Sequence, residues 1–235
     1  MSLLTIAQNA AREVGVISPS TVVNNSEDTA QRLLAMARRE GRVLSRRRPW
    51  QVLVKTELFD TVAGQGAYDL PGDLRSIIRM TWWDRNDNTL LQGPASPQVW
   101  SRLKSDDISN TADSWFRIQG NKFNLHPVPS SAETIAFEYV SDAWVDTTGD
   151  GLGDATDWQA DGDVAVLNED VVTMGVVWRM LNALGLPYQE QFNEYQREAE
   201  RLAARDTSSS SVSLNRSTGF PLGPLFGQKI TVTGA

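Results

Sequence analysis

The stretch GQGAYDLPGDLRSIIRM, residues 64–80, places an aromatic segment directly before a turn of Leu, Pro, Gly and Asp. Residues 67–70 alternate in the way that is typical of a β-strand with one buried face. Residues 71–73 end this strand, because proline lacks an amide donor and glycine and aspartate favour turns. Residues 74–83 then predict another strand, so the stretch is interpreted as two strands joined by a corner.

The chain just before this stretch also alternates and is rich in Trp, Phe, Thr and Val. Residues 52–61 are predicted to form a strand, and the glycines within residues 64–66 suit a turn. Residues 67–70 are the expected returning partner of that strand, with Tyr68 and Leu70 on one face. We therefore expect the corner to turn an antiparallel sheet back across the rest of the molecule.

The clearest hairpin is WFRIQGNKFNLHPVP, residues 115–129, in which Gly120 and Asn121 form a two-residue turn. This register pairs apolar side chains on one face, namely Ile118 with Phe123 and Phe116 with Leu125. The other face is polar, so we interpret His126 as a surface histidine without a catalytic role.

Two further elements belong to this central region of the chain. Residues 96–104 predict a short helix with its apolar side chains directed inward, namely Val99, Trp100 and Leu103. A further strand is predicted from the alternation of Ile135, Phe137 and Tyr139.

The beginning of the chain shows helical spacing in two segments. The first carries an apolar stripe and ends at Gly15; its residues are Leu3, Ile6, Ala7, Ala10 and Val14. The second begins with Ser26 as the N-cap candidate and ends before Pro49. Its apolar stripe consists of Ala30, Leu33, Leu34, Ala37, Gly41 and Leu44, and its opposite face displays Arg32, Arg39, Arg42 and Arg46.

Helical spacing returns near the end of the chain. Asn168 is the predicted start of a helix that reaches Leu184 and is apolar nearly all round, which is typical of a buried helix. A second helix follows from Tyr188, with a seam suited to antiparallel packing formed by Phe192, Tyr195, Ala199 and Leu202.

The order of elements is helix, helix, sheet, helix, helix, which predicts an α+β fold. We expect residues 1–49 and 165–206 to form an antiparallel helical bundle from both ends of the chain. Residues 50–164 are then an inserted, antiparallel, β-rich domain, and residues 207–235 an extended C-terminal arm.

Composition excludes several classes of protein. The 235 residues include no cysteine and one histidine, which argues against disulfide scaffolds, zinc modules and histidine-based catalysis. No apolar run approaches the roughly 18 residues of a membrane span, and the N-terminus carries charge where a signal peptide needs a cleavage site. We expect a cytosolic protein without a membrane partner.

The net charge of −7 is distributed unevenly along the chain. Residues 30–48 contain seven arginines and one glutamate, whereas residues 141–178 contain nine acidic residues and no lysine or arginine. Two interpretations are open. Both blocks can be solvated surface, or the basic region of one copy can face acidic loops of the next copy in a polymer.

Catalytic signatures are missing from the sequence: there is no phosphate-binding loop and no GxSxG elbow. An aspartate-rich segment offers weak metal candidates in Asp150, Asp154 and Asp157, but its spacing misses the calcium-binding EF-hand loop. An acidic loop is the favoured interpretation, so we expect no enzyme, no cofactor and no metal. Four tryptophans can stack on a sugar, but a core or subunit contact is favoured for Trp82, Trp83, Trp100 and Trp115.

The last 29 residues differ in composition from the rest of the chain. Residues 207–219 have too little apolar surface to fold alone. Either this end is a dispensable tail, or it is an arm that orders on a partner. The anchors of such an arm are Phe220, Leu222, Leu225 and Phe226, followed by Ile230 and Val232 in a segment that can add a strand to a neighbouring sheet.

Several segments together resemble the head-to-tail adaptor proteins of tailed bacteriophages, including the tail tubular proteins of short-tailed phages. They are AYDLPGDLRSIIRMTW, FRIQGNKFNLHPVP, FEYVSDAW and LNEDVVTMGVVWRMLNALGLPYQEQFNEYQREAERLAARD. The resemblance covers residues 3–206 as an overall pattern of helices around a β insertion.

This resemblance implies a structural virion protein that is not an enzyme, assembled in the host cytoplasm and located in the neck. It implies a dodecameric ring between the portal and the tail, through which double-stranded DNA passes without sequence specificity. Arg32, Arg39, Arg42 and Arg46 would line the ring interface or the channel. The C-terminal arm would grip the portal protein, and the β insertion would meet the tail or nozzle protein.

Two alternatives stay open. One is another ring component of the phage neck or tail, such as a tail terminator or a head-completion protein. The other is a carbohydrate-binding tail protein that uses the tryptophan-rich sheet.

Overall fold

A computed structural model describes residues 1–105 and 114–206 of the chain. Its helices are α1 (Leu3–Val14), α2 (Asp28–Arg47), α3 (Pro97–Ser105), α4 (Glu169–Ala183) and α5 (Gln189–Arg205). Its strands are β1 (Val54–Asp60), β2 (Ala67–Asp69), β3 (Leu74–Ile77), β4 (Trp83–Asp84), β5 (Thr89–Leu90), β6 (Trp115–Gln119), β7 (Lys122–His126), β8 (Thr134–Ser141), β9 (Val145–Asp146) and β10 (Val164–Ala165). These helices and antiparallel sheets confirm the predicted α+β class.

The two N-terminal helices follow the predicted periodicity, with one correction. Helix α1 ends at Gly15, whose φ of 77° is the left-handed conformation that glycine adopts without strain. Helix α2 begins after Glu27, so the prediction of Ser26 as its N-cap is wrong. The side chain of Asn25 accepts the amide of Glu27 at 2.9 Å and closes the turn before the helix.

Helix α4 is the centre of the helical core and packs against α1, α2 and α5. Its first turn is capped by the Asn168 side chain, which accepts the amide of Val171 at 3.1 Å. Seven residues from the predicted β-rich region lie in the same hydrophobic cluster as these helices, among them Trp144, Val145 and Trp158. The division of the chain into domains at residues 50 and 164 stays a prediction.

Two antiparallel sheets enclose a second core. In the first sheet, β8 is central: β1 pairs with one of its edges, and β3 and β4 pair with the other, with β5 beyond β4. In the second sheet, the strand order is β2, β7, β6. The expected pairing of residues 67–70 with β1 is wrong, because β8 pairs with β1 along its whole length. Strand β2 pairs instead with β7, so the corner at residues 71–73 carries the chain from one sheet to the other.

The strand predicted over residues 74–83 is interrupted. Strands β3 and β4 both pair with β8, while residues 78–82 loop out between them. Met80 in this loop has a φ of 63° and is 72% exposed. The loop is held by the Thr81 hydroxyl, which donates to the carbonyl of Ile78 at 2.8 Å and accepts the amide of Glu138 at 3.1 Å.

The hairpin of β6 and β7 has the predicted register, including Phe116 opposite Leu125. The turn residues Gly120 and Asn121 have φ values of 62° and 57°, as a two-residue hairpin turn with matching twist requires. His126 is half-buried against Trp100, with ring centres 6.1 Å apart, so it is less exposed than expected.

Helix α3 forms where it was predicted, and Trp100 and Leu103 are buried as expected. Val99, however, is 39% exposed, so its predicted inward position is wrong.

Candidate assembly surface

Helix α2 separates apolar and basic residues onto two faces. Its inner face includes Leu33 and Ala37, which are fully buried in the helical core. The four arginines predicted to be displayed are all exposed: Arg32, Arg39, Arg42 and Arg46. A 20-residue helix with this pattern presents its cations to solvent along its outer side.

Acidic residues of the same chain neutralise most of these cations. Asp157 lies between two arginines, 2.8 Å from Arg42 and 3.3 Å from Arg38. Arg46 lies 3.8 Å from Asp142, and Arg32 pairs at 2.8 Å with an aspartate one turn earlier in its own helix. The basic and acidic blocks of the sequence therefore meet within one subunit.

Arg39 differs from the other three predicted residues. Within residues 1–105 and 114–206 it has no ion pair. It lines a groove of about 700 Å³ on the outer side of α2, which we call the basic groove. This groove is lined by Val22, Asn24, Asn25, Gln31, Leu34, Ala35, Arg38, Arg39, Arg42 and Val43. Guanidinium and amide donors in one groove suit carboxylate or phosphate oxygens.

The inner face of α2 also holds a charge that sequence reasoning missed. Glu40 is fully buried, and its Oε2 accepts Nε and Nη2 of Arg179 at 2.8 and 2.6 Å. Gly175 on α4 makes room for this carboxylate, because an added Cβ would lie 2.3 Å from the Glu40 side chain. Burial, together with the neighbouring Glu40 carboxylate, raises the pKa of Tyr195.

The sequence did contain a signal for this pair. Arg179 is the single charged residue between residues 171 and 184, in a helix that was predicted to be buried. A buried arginine requires an acidic partner, and Glu40 is the one acid in the basic block.

Carboxylates of the aspartate-rich segment accept hydrogen bonds from backbone amides of the same segment. The Asp146 carboxylate accepts the amides of Thr148, Gly149 and Gly151 at 3.0, 2.6 and 2.8 Å. Desolvation opposes the effect, but these hydrogen bonds lower the pKa of Asp146 below its usual value. Hydrogen bonds from Thr147 to its carboxylate likewise lower the pKa of Asp154.

The three weak metal candidates do not converge on one point. Asp150 accepts the amide of Leu152 at 2.8 Å, Asp154 binds Thr147, and Asp157 pairs with the arginines of α2. In the described parts of the chain, no three acidic or histidine side chains lie close enough together to hold a metal ion.

The four candidate tryptophans do not form an open stacking platform. Trp82 and Trp100 are buried, and Trp83 and Trp115 are half-buried. The rings of Trp82 and Trp100 are not accessible to a sugar, and none of the four side chains is fully exposed, so these positions offer the carbohydrate alternative little aromatic surface.

Two further expectations concern the arm and the membrane. All proposed arm anchors lie outside the described residues, namely Phe220, Leu222, Leu225, Phe226, Ile230 and Val232. None of the helices that the structure describes is both long enough and apolar enough to cross a bilayer.

Comparison with known families gives the class of the protein: it is a phage structural adaptor, in agreement with the resemblance read from the sequence. The family described as SU10 adaptor protein matches residues 1–217, which include every described residue. The chain belongs to this family of phage head-to-tail adaptors. A search of curated proteins found no match. Membership implies a virion component, and the family is structural and not enzymatic.

Proposed function

We propose that this chain forms a ring, dodecameric in number, in the virion neck between the portal and the tail, with a central channel for double-stranded DNA. The family match over residues 1–217 carries this proposal. The subunit would assemble in the host cytoplasm before it joins the head. Residues 207–235 are the proposed portal-binding arm.

The basic groove supports a place for α2 at the ring interface or the channel wall. Arg32, Arg42 and Arg46 have acidic partners in their own subunit, which reduces the free positive charge along the helix. A wall of this kind suits DNA transit, because strong phosphate contacts would retain the DNA. Arg39 is then the residue available to an acidic group on a neighbouring copy.

The β-rich region supports the proposed contact with a tail or nozzle protein. Met80 and Ile118 are 72% and 38% exposed and line a groove of about 510 Å³ that also contains Trp82 and Pro94. An exposed apolar group of this kind is typical of a protein contact surface.

Native mass spectrometry of the full-length protein, alone and mixed with the portal ring, tests the proposal. We expect about one adaptor chain per portal subunit in the mixture, as the symmetry of a shared ring axis requires. The double variant Phe220→Ser/Phe226→Ser should lose the portal complex and keep its fold. A ring that binds only tail components would contradict the portal assignment and indicate a tail terminator instead.

The position of Arg39 is tested by Arg39→Glu. We expect an unchanged thermal midpoint and loss of the higher assemblies in native mass spectra, because the reversed charge would face an acidic neighbour. Arg12→Glu, the same change at an exposed position of helix α1, is the control and should assemble normally. Normal assembly of both variants would remove Arg39 from the interface.

A further inference from the structure

An apolar groove lies where the described chain ends. It has a volume of about 330 Å³ and is bounded by the end of α2, the segment before α4 and the end of α5. Its lining is mainly aliphatic and aromatic: Leu44, Trp50, Val52, Val166, Leu167, Asn168, Leu202, Arg205 and Asp206. Val52 is 45% exposed in it, although the surrounding Leu44 and Leu167 are buried. We call this the exit groove.

The point at which the chain leaves the exit groove is fixed. The Asp206 carboxylate accepts the amide of Gln51 at 3.1 Å and lies 3.9 Å from Arg48, while the Asp206 amide donates to Leu202 at 2.9 Å. The described chain therefore ends at Asp206, next to Gln51, the residue between Trp50 and Val52, so the residues that follow Asp206 are the nearest candidates to cover Val52.

We propose that Val212 and Leu214 of the same chain occupy the exit groove. They are the first aliphatic residues after Asp206, six and eight positions further on, and they follow four serines. In an extended segment, residues two apart lie on the same side, so both can face one groove. Six extended residues reach about 20 Å, and this allows a direct return to a groove whose edge is Asp206 itself.

The extent of the family match distinguishes this segment from the rest of the arm. The match ends at residue 217, so it includes Val212 and Leu214 and stops before Phe220. Residues 212–214 thus lie within the matched region, whereas the distal anchors, which begin at Phe220, lie beyond it. The inference does not depend on ring formation or on the portal.

Docking of residues 212–214 in the exit groove would affect how the rest of the arm binds a partner. A segment held on the body at residues 212–214 leaves only the distal anchors to be ordered when a partner binds. The entropy lost on binding falls accordingly, and the anchors start from a defined point on the subunit.

Thiol reactivity tests the proposal sharply, because the chain contains no cysteine. Val52→Cys introduces one thiol in the exit groove, and Val128→Cys introduces a similarly exposed one just after β7, since the two valines are 45% and 49% exposed. Each variant is made in the full-length chain and treated with Ellman's reagent under native conditions. We expect the thiol at position 52 to react about tenfold more slowly than that at position 128, as docking of two aliphatic side chains allows.

Substitutions in the tail identify the occupant. Val212→Ser/Leu214→Ser should raise the rate at position 52 to that at position 128, whereas Phe220→Ser/Leu222→Ser should leave it slow. The slow rate should also be independent of protein concentration. Equal rates at the two positions in the starting chain would overturn the proposal. So would release by the distal substitutions, or a protection that is lost on dilution, which would assign the groove to another copy's segment.

Discussion

Helix α2 carries charges on two faces, and the two faces differ in what each charge contributes to stability. On the inner face, Glu40 is fully buried and binds Arg179 through two hydrogen bonds. On the outer face, Arg42 and Asp157 make a contact of similar length, 2.8 Å, but both side chains remain partly exposed. Distance alone therefore does not rank these ion pairs. Burial does, because removal of one partner leaves the other charge without water.

The largest effect is expected from Arg179→Ala. It leaves the Glu40 carboxylate buried without a cation and should lower the free energy of unfolding by about 3–5 kcal/mol. Urea denaturation followed by tryptophan fluorescence measures it. The double variant Glu40→Leu/Arg179→Met should recover most of the loss, because it removes both buried charges. If Arg179→Ala lowered the free energy of unfolding by less than about 1 kcal/mol, the buried ion pair would contribute no more than the exposed pairs of the outer face.

A second large effect is expected where α2 meets Trp144. An added Cβ at Gly41 would lie 2.0 Å from the indole ring, so Gly41→Ala must displace a buried tryptophan. We expect a loss of about 1–3 kcal/mol in urea denaturation. Gly72→Ala is the matched control, since nothing lies within 4 Å of its added Cβ. Equal effects of the two changes would contradict the packing argument.

An intermediate effect is expected at Asp73, whose side chain is less buried than that of Glu40 and more buried than that of Asp157. It accepts hydrogen bonds from Lys55, Tyr139 and Ser141 at 2.7, 3.0 and 2.6 Å. Burial opposes them, but these bonds lower the pKa of Asp73 below its ordinary value. Asp73→Asn should cost about 1–2 kcal/mol at neutral pH.

The same carboxylate gives a pH dependence. Because the folded pKa of Asp73 is lower than the unfolded one, its contribution is present above the ordinary aspartate pKa and is lost as pH falls through the lowered value. The free energy of unfolding, measured at a series of pH values from neutral to about pH 2, should therefore fall less steeply for Asp73→Asn than for the unchanged protein. Parallel curves for the two proteins would show that Asp73 does not titrate with folding.

The smallest effect is expected from Arg42→Gln on the outer face. Its pair with Asp157 is partly exposed, so the free energy of unfolding should change by less than about 1 kcal/mol. The change should shrink further in 1 M salt, which screens exposed charges. A loss comparable to that of Arg179→Ala would erase the contrast between the two faces.

Local patterns predicted the parts of the fold that depend on nearby residues. The two helices at each end and the hairpin at Gly120-Asn121 were predicted because their periodicity and turn residues lie within a few positions of each other. The pairing of β1 with β8 joins Val54 to Val140, and no local pattern specifies such a partner. The pair between Glu40 and Arg179 spans 139 residues and was missed, although a lone arginine in an apolar helix indicated that an acidic partner was needed.

The candidate surface was predicted in part. Helical spacing correctly placed four arginines on one exposed face. The pairing of Arg42 with Asp157 and of Arg46 with Asp142 could not be predicted, because it depends on how residues distant in sequence pack on α2.

The corner at residues 71–73 has a mechanical consequence. Strand β3, which follows it, carries Arg75, and the guanidinium of Arg75 donates to the carbonyls of Ser45, in the last turn of α2, and of Arg48, just after the helix. The corner itself is fastened by Asp73 to β1 and β8. A pull on the sheets would therefore reach the end of α2 through these polar contacts as well as through the covalent chain.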